Sequence, residues 1–542
     1  MAAAAAAPPG AAGGRRNWPF ACECVRDDVP VSITENLRFG VFGVPRGSPA
    51  FDEIARSVAT SLPDAEVVHV QRVFNGTLWP AFCVQRDLVA ASNEGDANMK
   101  LMFHVASREN LSQILGSTID AGSNASGFNP NFSGSCAYSS KGCGCYFAEH
   151  AAYPVRIHPR EFDEERGTFT LVVAVVICGR VKDMGAEVRS FVTAPKAPGA
   201  GDYDSVSGTE LGIGYRHIPQ GRAEFGRQSI VYRPDRAYPM FVVTIRPPTV
   251  PLGVPLALMS SHHMTNLVNP GAPEDGTPQA KAADAAPRVP TPVCEQVVLV
   301  QSPKNPNCVG IMSVKHAPYT FLRVADGDGH CFFDRIECRG DEQWSIEQRG
   351  YEIFFVSRKN GRTLSCVGNK TVLTLNDGRD LWESWRPTFD PAMRPLGPGV
   401  HLGTTIFLRN RRLGTFVMNR GSAEDNTPQA GANEKHMRLW EELMIVRAPA
   451  DPRYFGIMSL RYAPHTFLRA SGDGRCFFDR HECRRDEQWS IEQRGGALAF
   501  VSRTDGHRLH CVDDDGCVLL RTEGREDADS WELVVQGADG SV

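Results

Sequence analysis

GIMSVKHAPYTFLRVADGDGHCFFDRIECRGDEQWSIEQRG, residues 310–350, returns as GIMSLRYAPHTFLRASGDGRCFFDRHECRRDEQWSIEQRG at residues 456–495, 146 residues further along. Self-similarity at a fixed spacing marks a duplicated structural unit, so this block decides the fold of the C-terminal half. Fainter matches widen the unit: NPGAPEDGTPQA at 269–280 parallels NRGSAEDNTPQA at 419–430, and VCEQVVLV at 293–300 parallels LWEELMIV at 439–446. Short runs of Val, Ile and Phe alternate with glycine-bearing turns, and helical periodicity is almost absent, so each unit reads as all-β. Each divides into three lobes: 252–308, 309–350 and 351–390, then 396–450, 454–495 and 496–537.

Three lobes of this kind make one β-trefoil, which predicts trefoils over 252–390 and 394–537. Most lobes close on an aromatic residue followed by acidic and aliphatic ones, at Trp344, Trp440, Trp489 and Trp531, and these tryptophans are expected in the core. HTFLRA (465–470), the Gly-Asp-Gly turn and DEQWSIEQRG resemble the lobes of fascin-like actin-crosslinking trefoils. That resemblance implies a protein partner, actin or another. The ricin-type sugar motif separates Gln from Trp by one residue, whereas Gln343 and Trp344 are adjacent, which disfavours sugar binding. The repeated C-x6-C pairs, Cys331 with Cys338 and Cys476 with Cys483, read as duplicated core positions.

Residues 17–248 mix periods. FDEIARSVATSL (51–62) and LWPAFCVQRDLVA (78–90) read as helices; AEVVHVQRVF (65–74), the apolar run TLVVAVVICG (170–179), QSIVY (228–232) and MFVVTI (240–245) read as strands. The expected fold class is thus multidomain: an α+β domain followed by two all-β trefoils.

Three segments of the α+β part come in a telling order: LMFHVAS (101–107), KGCGCYFAEHAAY (141–153) and RQSIVYRPDRAYP (227–239). Together they resemble the catalytic domain of the poly(ADP-ribose) polymerase family, of the mono-ADP-ribosyltransferase type. The resemblance implies an ADP-ribosyltransferase fold with NAD+ as substrate, a protein acceptor and a triad of His104, Tyr146 and Gln228. Cleaving nicotinamide from NAD+ passes through an oxocarbenium-like transition state, so a site must hold the ribose, stack the leaving ring and stabilise positive charge. In the family's arrangement His104 positions the adenosine ribose and Tyr146 offers an aromatic face and a hydroxyl, with Val105, Ala106, Phe147, Tyr153 and Pro154 as further dinucleotide contacts. Gly142 and Gly144 would let the backbone approach the ligand.

Gln228 stands where the family's glutamate stands, and a neutral amide cannot act as a general base, so chain elongation is expected to be lost and single-unit transfer retained. Glu224, four residues upstream, is a fallback carboxylate. Val105 replaces a glycine, Pro154 replaces a serine eight residues after the tyrosine, and Ile157 replaces a second stacking aromatic. These departures support the alternative of a catalytically weak or inactive transferase fold acting as an actin-binding or scaffolding protein.

Composition excludes other classes. A net charge of −5 over 542 residues supplies no basic stripe, so nucleic acid is not favoured as a partner. No run of eighteen apolar residues occurs, and MAAAAAAPPGAAGGRR (1–16) carries its charges after the alanines, so it reads as a disordered tail with no membrane role expected. The 16 cysteines lie mostly singly, which suits reduced thiols and a cytoplasmic or nuclear location. Cys136, Cys143 and Cys145 with His150 lack the paired spacings of zinc sites, and no metal is expected.

Overall fold

A computed structural model describes residues 39–115, 144–185, 193–198, 201–209, 223–271, 279–284, 295–327, 329–368, 371–374, 377–380, 382–388, 400–421, 430–494, 496–512, 519–522 and 529–535. The protein is β-rich and multi-sheet, and it divides into two compact units: residues 1–248 with 349–351, and residues 249–348 with 352–542.

The first unit is built on one nine-stranded sheet. In chain order it runs β1 (Phe39–Gly43), α1 (Pro49–Ala59), β2 (Glu66–Asn75), α2 (Leu78–Ser92), β3 (Met99–Val105), α3 (Arg108–Leu115), β4 (Cys145–Ala148) and α4 (Ala152–Ile157). Then come β5 (Phe169–Ile177), β6 (Val181–Asp183), β7 (Ser205–Thr209), β8 (Arg227–Val231) and β9 (Ala237–Arg246). The spatial order is β1-β2-β9-β5-β3-β4-β8-β7-β6, antiparallel throughout except for the β6–β7 pair.

Strand β5 lies in the middle, and its burial on both faces explains why its sequence is continuously apolar rather than alternating. Leu171, Val173, Val175 and Ile177 join a core with Phe51, Ile54 and Val58 of α1, Phe82 and Val89 of α2, and Val155 of α4. Val172, Ala174 and Val176 join a second core with Met102, Phe147 and Ile114 of α3. Helix α1 starts where the sequence tells it to: Ser48 accepts the Phe51 N–H at 3.3 Å through Oγ, and Pro49 occupies the first turn.

The second unit carries twelve described strands between Pro255 and Thr388 and twelve more between Thr405 and Val535. Four tryptophans repeat one device. Trp344, Trp385, Trp489 and Trp531 are fully buried, and their indole N–H groups donate to the carbonyls of Leu322, Leu364, Leu468 and Leu509 at 3.0, 2.9, 3.0 and 3.1 Å. A buried indole needs such an acceptor, so each tryptophan ties one lobe's closing strand to a strand about twenty residues earlier. Trp440 departs from the expectation: it sits half-buried in the 3-10 turn Leu439–Glu441, and Leu443 takes the core position. Two residues before each closing core position stands a buried acid: Glu295, Glu342, Glu383, Glu441, Glu487 and Asp529. Where a bond to the preceding turn is described, the acid accepts a backbone N–H, as Glu342 does from Gly340, Glu383 from Asp380, Glu441 from Arg438 and Glu487 from Arg484.

The two copies in this unit meet through equivalent surfaces related by an approximate two-fold axis. Val298, Val300, Met312, Val314, Phe321 and Cys338 pack against their own counterparts Met444, Val446, Met458, Leu460, Phe467 and Cys483. Tyr319 lies edge-on to Phe467 at 5.7 Å, and its counterpart His465 lies edge-on to Phe321 at 6.0 Å. Backbone bonds obey the same symmetry: Gln301 N–H donates to Gly403 O at 2.6 Å and Arg447 N–H to Gly253 O at 2.7 Å. Gly253 and Gly403 cross at this point with φ of +67° and +66°, and a Cβ on either would fall 2.3 or 2.2 Å from the other's nitrogen. This is the self-complementary geometry of an isologous dimer interface, realised within one chain.

Candidate active site

The three candidate residues His104, Tyr146 and Gln228 are 42 or more residues apart along the chain, yet β3, β4 and β8 are immediate neighbours in the sheet. Ala148 of β4 pairs with Phe103 on one side and with Gln228 on the other, and Tyr146 pairs with Ile230. The close approach has a local cause: a Cβ at Gly144 would fall 2.5 Å from Ile230 Cγ2 and 3.0 Å from Val231 O, so only glycine lets β4 enter here.

His104 meets the backbone of Tyr146, not its ring. Its Nδ1 lies 3.0 Å from Tyr146 O, and its ring centroid is 6.0 Å from that of Phe147. A carbonyl can only accept, so Nδ1 carries the proton; burial holds the pKa below the ordinary histidine value, and the neutral ring thus has Nε2 as its acceptor atom. His158 is also pushed down, to about 4, by burial and by repulsion from His104, which keeps this pair from carrying two charges.

Gln228 is buried, and its Nε2 donates to the hydroxyl of Tyr153 at 2.7 Å. Tyr153, Ala148 and Phe225 form a small apolar cluster around that bond, with Ile157 packed against it. Pro154 sits buried in the first turn of α4, where a missing N–H leaves no helical bond unmade. Val105, Ala106 and Phe147 are core residues, and the Ala106 N–H donates to Thr170 O at 3.3 Å. Glu224 is exposed on the 3-10 turn Ala223–Gly226 beside Phe225, which lies edge-on to His150 at 4.8 Å.

The structure therefore brings His104, the Tyr146 backbone, Tyr153 and Gln228 into one neighbourhood, while Val105, Ala106 and Phe147 serve packing. Cys136, Cys143 and Gly142 lie outside the described residues. Cys145 is buried, its thiol pushed up to about 12 by burial, and no cluster of metal-ligating side chains gathers among the described residues. One feature of the flank left no trace in the sequence. Glu149, which follows Ala148, takes Lys100 Nζ at 2.9 Å and Arg227 Nε at 3.4 Å, and Arg227 also reaches Asp183 at 2.6 Å. The Arg227 bond holds the Asp183 carboxyl below its usual range, and the four charges tie β3, β8 and β6 together at their surface. Among the described residues no helix is long and apolar enough to cross a membrane. The chain matches no protein-family model, and no curated protein resembles it closely enough to count as a relative.

Proposed function

We propose that the first unit is an ADP-ribosyltransferase fold that transfers single ADP-ribose units from NAD+ to a protein acceptor, with His104, Tyr146 and Gln228 as its triad. The observation that carries this reading is the adjacency of β3, β4 and β8, which gathers three motifs spread over more than a hundred residues. Neutral His104, with Nε2 as acceptor, suits a ribose hydroxyl, and its bond to Tyr146 O fixes the ring's orientation. Gln228 offers amide hydrogen bonding without a titratable proton, which fits one transfer and no elongation. NAD+ itself supplies the electrophilic ribose carbon; the chain's residues position and shield it. For the second unit we propose two fascin-like β-trefoils that direct the enzyme to its target, supported by the twelve strands and two tryptophan–leucine ties in each copy. The proposed setting is the cytoplasm or nucleus.

A second reading, an inactive fold acting as an actin-binding scaffold, is favoured by two specific facts: the Gln228 amide is engaged by Tyr153, and buried Pro154 has no N–H to hold a carboxamide. Incubation with labelled NAD+ separates the two. A single-unit covalent label and nicotinamide release, both lost in Tyr146→Ala, are expected of the transferase; absence of both from the wild-type chain, with actin co-sedimentation, sinks it in favour of the scaffold.

A further inference from the structure

Six tryptophans lie in the second unit, and four belong to its cores. Trp440 does not, and its surroundings differ from a merely solvated turn. The guanidinium of Arg461 lies over the Trp440 ring at 4.6 Å and over the Tyr462 ring at 5.3 Å, while the two rings meet edge-on at 6.2 Å. Beside them Leu439 is 57% exposed, an apolar side chain that nothing described covers. Among the described residues the Arg461 side chain has no hydrogen-bond acceptor, and its Nε is sealed from solvent. Two aromatic faces thus hold a cation in place without neutralising it, apart from the charge of half-buried Glu442 nearby. Lys435 and Arg438 are exposed on the same turn and add positive charge.

The duplication singles out the same spot. Positions 146 residues earlier hold Val293, Cys294, Lys315 and His316 in place of Leu439, Trp440, Arg461 and Tyr462, while the flanking GIMS and TFLR are identical in both copies. The aromatic cation cluster is therefore peculiar to one copy, and the shared scaffold does not require it.

We propose that this cluster is a docking site for an acidic peptide segment of a partner protein. An apolar side chain of the segment rests on Leu439 and Trp440, and a carboxylate is received by the Arg461 guanidinium, the pairing that tryptophan, tyrosine and arginine most often supply at the centre of an interface. The proposal stands independently of the transferase reading.

The test is fluorescence anisotropy of the full-length chain with a fluorescein-labelled pool of short peptides, Asp or Glu throughout except for a central Leu or Phe. Wild type is expected to bind, more weakly as salt is raised. Arg461→Ala and Trp440→Ala each weaken binding about tenfold or more. Arg461→Lys, which keeps the charge and loses the planar stack, weakens it as well and guards against a misfolded alanine variant. Trp382→Ala, which alters an exposed tryptophan of this unit outside the cluster, is expected to leave binding unchanged. No binding by wild type, equal binding by the Arg461 and Trp440 variants, or equally tight binding of an all-acidic pool without the apolar residue or of single-stranded RNA overturns the proposal.

Discussion

Gly253→Ala tests the two-fold crossing of the duplicated copies. Three effects add at this site. The backbone at φ +67° is one that an L-residue adopts at a cost of about 1–2 kcal/mol. The new Cβ falls 2.3 Å from Gly403 N and 2.8 Å from Leu402 C, both backbone-bound positions that cannot swing aside, so the crossing must open. Opening it forfeits the reciprocal bonds from Gln301 N–H and Arg447 N–H, each worth about 1 kcal/mol net. The expected loss is about 3–4 kcal/mol, and the same for Gly403→Ala. Gly361→Ala is the internal control: its φ is +70° but its Cβ meets nothing within 4 Å, so it loses only the backbone component. Equilibrium urea unfolding of the full chain, read by the emission of the buried tryptophans, measures all three variants. Because both glycine variants break one shared contact, the double variant should fall short of the sum by about 2 kcal/mol. If Gly253→Ala is no worse than Gly361→Ala, or if the pair adds in full, the crossing is not what joins the copies.

Other expectations concern titration and the indole ties. His465, held at about 4 by burial, binds fewer protons folded than unfolded, so it lowers stability by about 2 kcal/mol as pH falls from 7 to 5. Glu487, lifted to about 7 by burial, binds more protons folded than unfolded and raises stability by a similar ~2 kcal/mol over the same interval. Relative to wild type, His465→Tyr should gain stability as pH falls from 7 to 5 and Glu487→Gln should lose it, and urea midpoints that shift in the opposite directions would contradict this account of burial. Trp489→Phe leaves Leu468 O without its donor and should cost about 1–3 kcal/mol, whereas Trp440→Phe should cost less than about 1 kcal/mol; equal losses in urea unfolding would put both tryptophans in one class.

What could be read beforehand was whatever depends on local pattern. The run at 170–179 announced a strand covered on both faces, and β5 has cores on both sides because eight of its residues divide between them. The duplication announced equivalent lobes, and Trp344, Trp489 and Trp531 fell into equivalent buried positions. Trp440 misled because LWEELMIV aligns in composition with SWELVV, yet its closing core position falls three residues later, at Leu443. Trp385 sits in the equivalent position in ESWRP, but its core role is not legible there because the acidic and aliphatic residues that follow the other tryptophans are missing. The candidate site was legible as three segments but not as an arrangement: nothing local says that β4 lies between β3 and β8, or that the Tyr153 hydroxyl takes the Gln228 amide across 75 residues of chain. The crossing of Gly253 with Gly403 was invisible for the same reason. Either glycine alone looks like an ordinary turn residue.

The shared core of the duplicated copies also bears on how the chain tolerates being cut. Val298, Met312 and Phe321 are buried against Met444, Met458 and Phe467, so neither copy can shed water from this face without the other. The covalent connection between Thr388 and Val400 is then not what keeps the copies together; it raises their local concentration while the buried face does the holding. A protease nick in that stretch would leave two fragments that migrate as one particle under native conditions and separate only in denaturant.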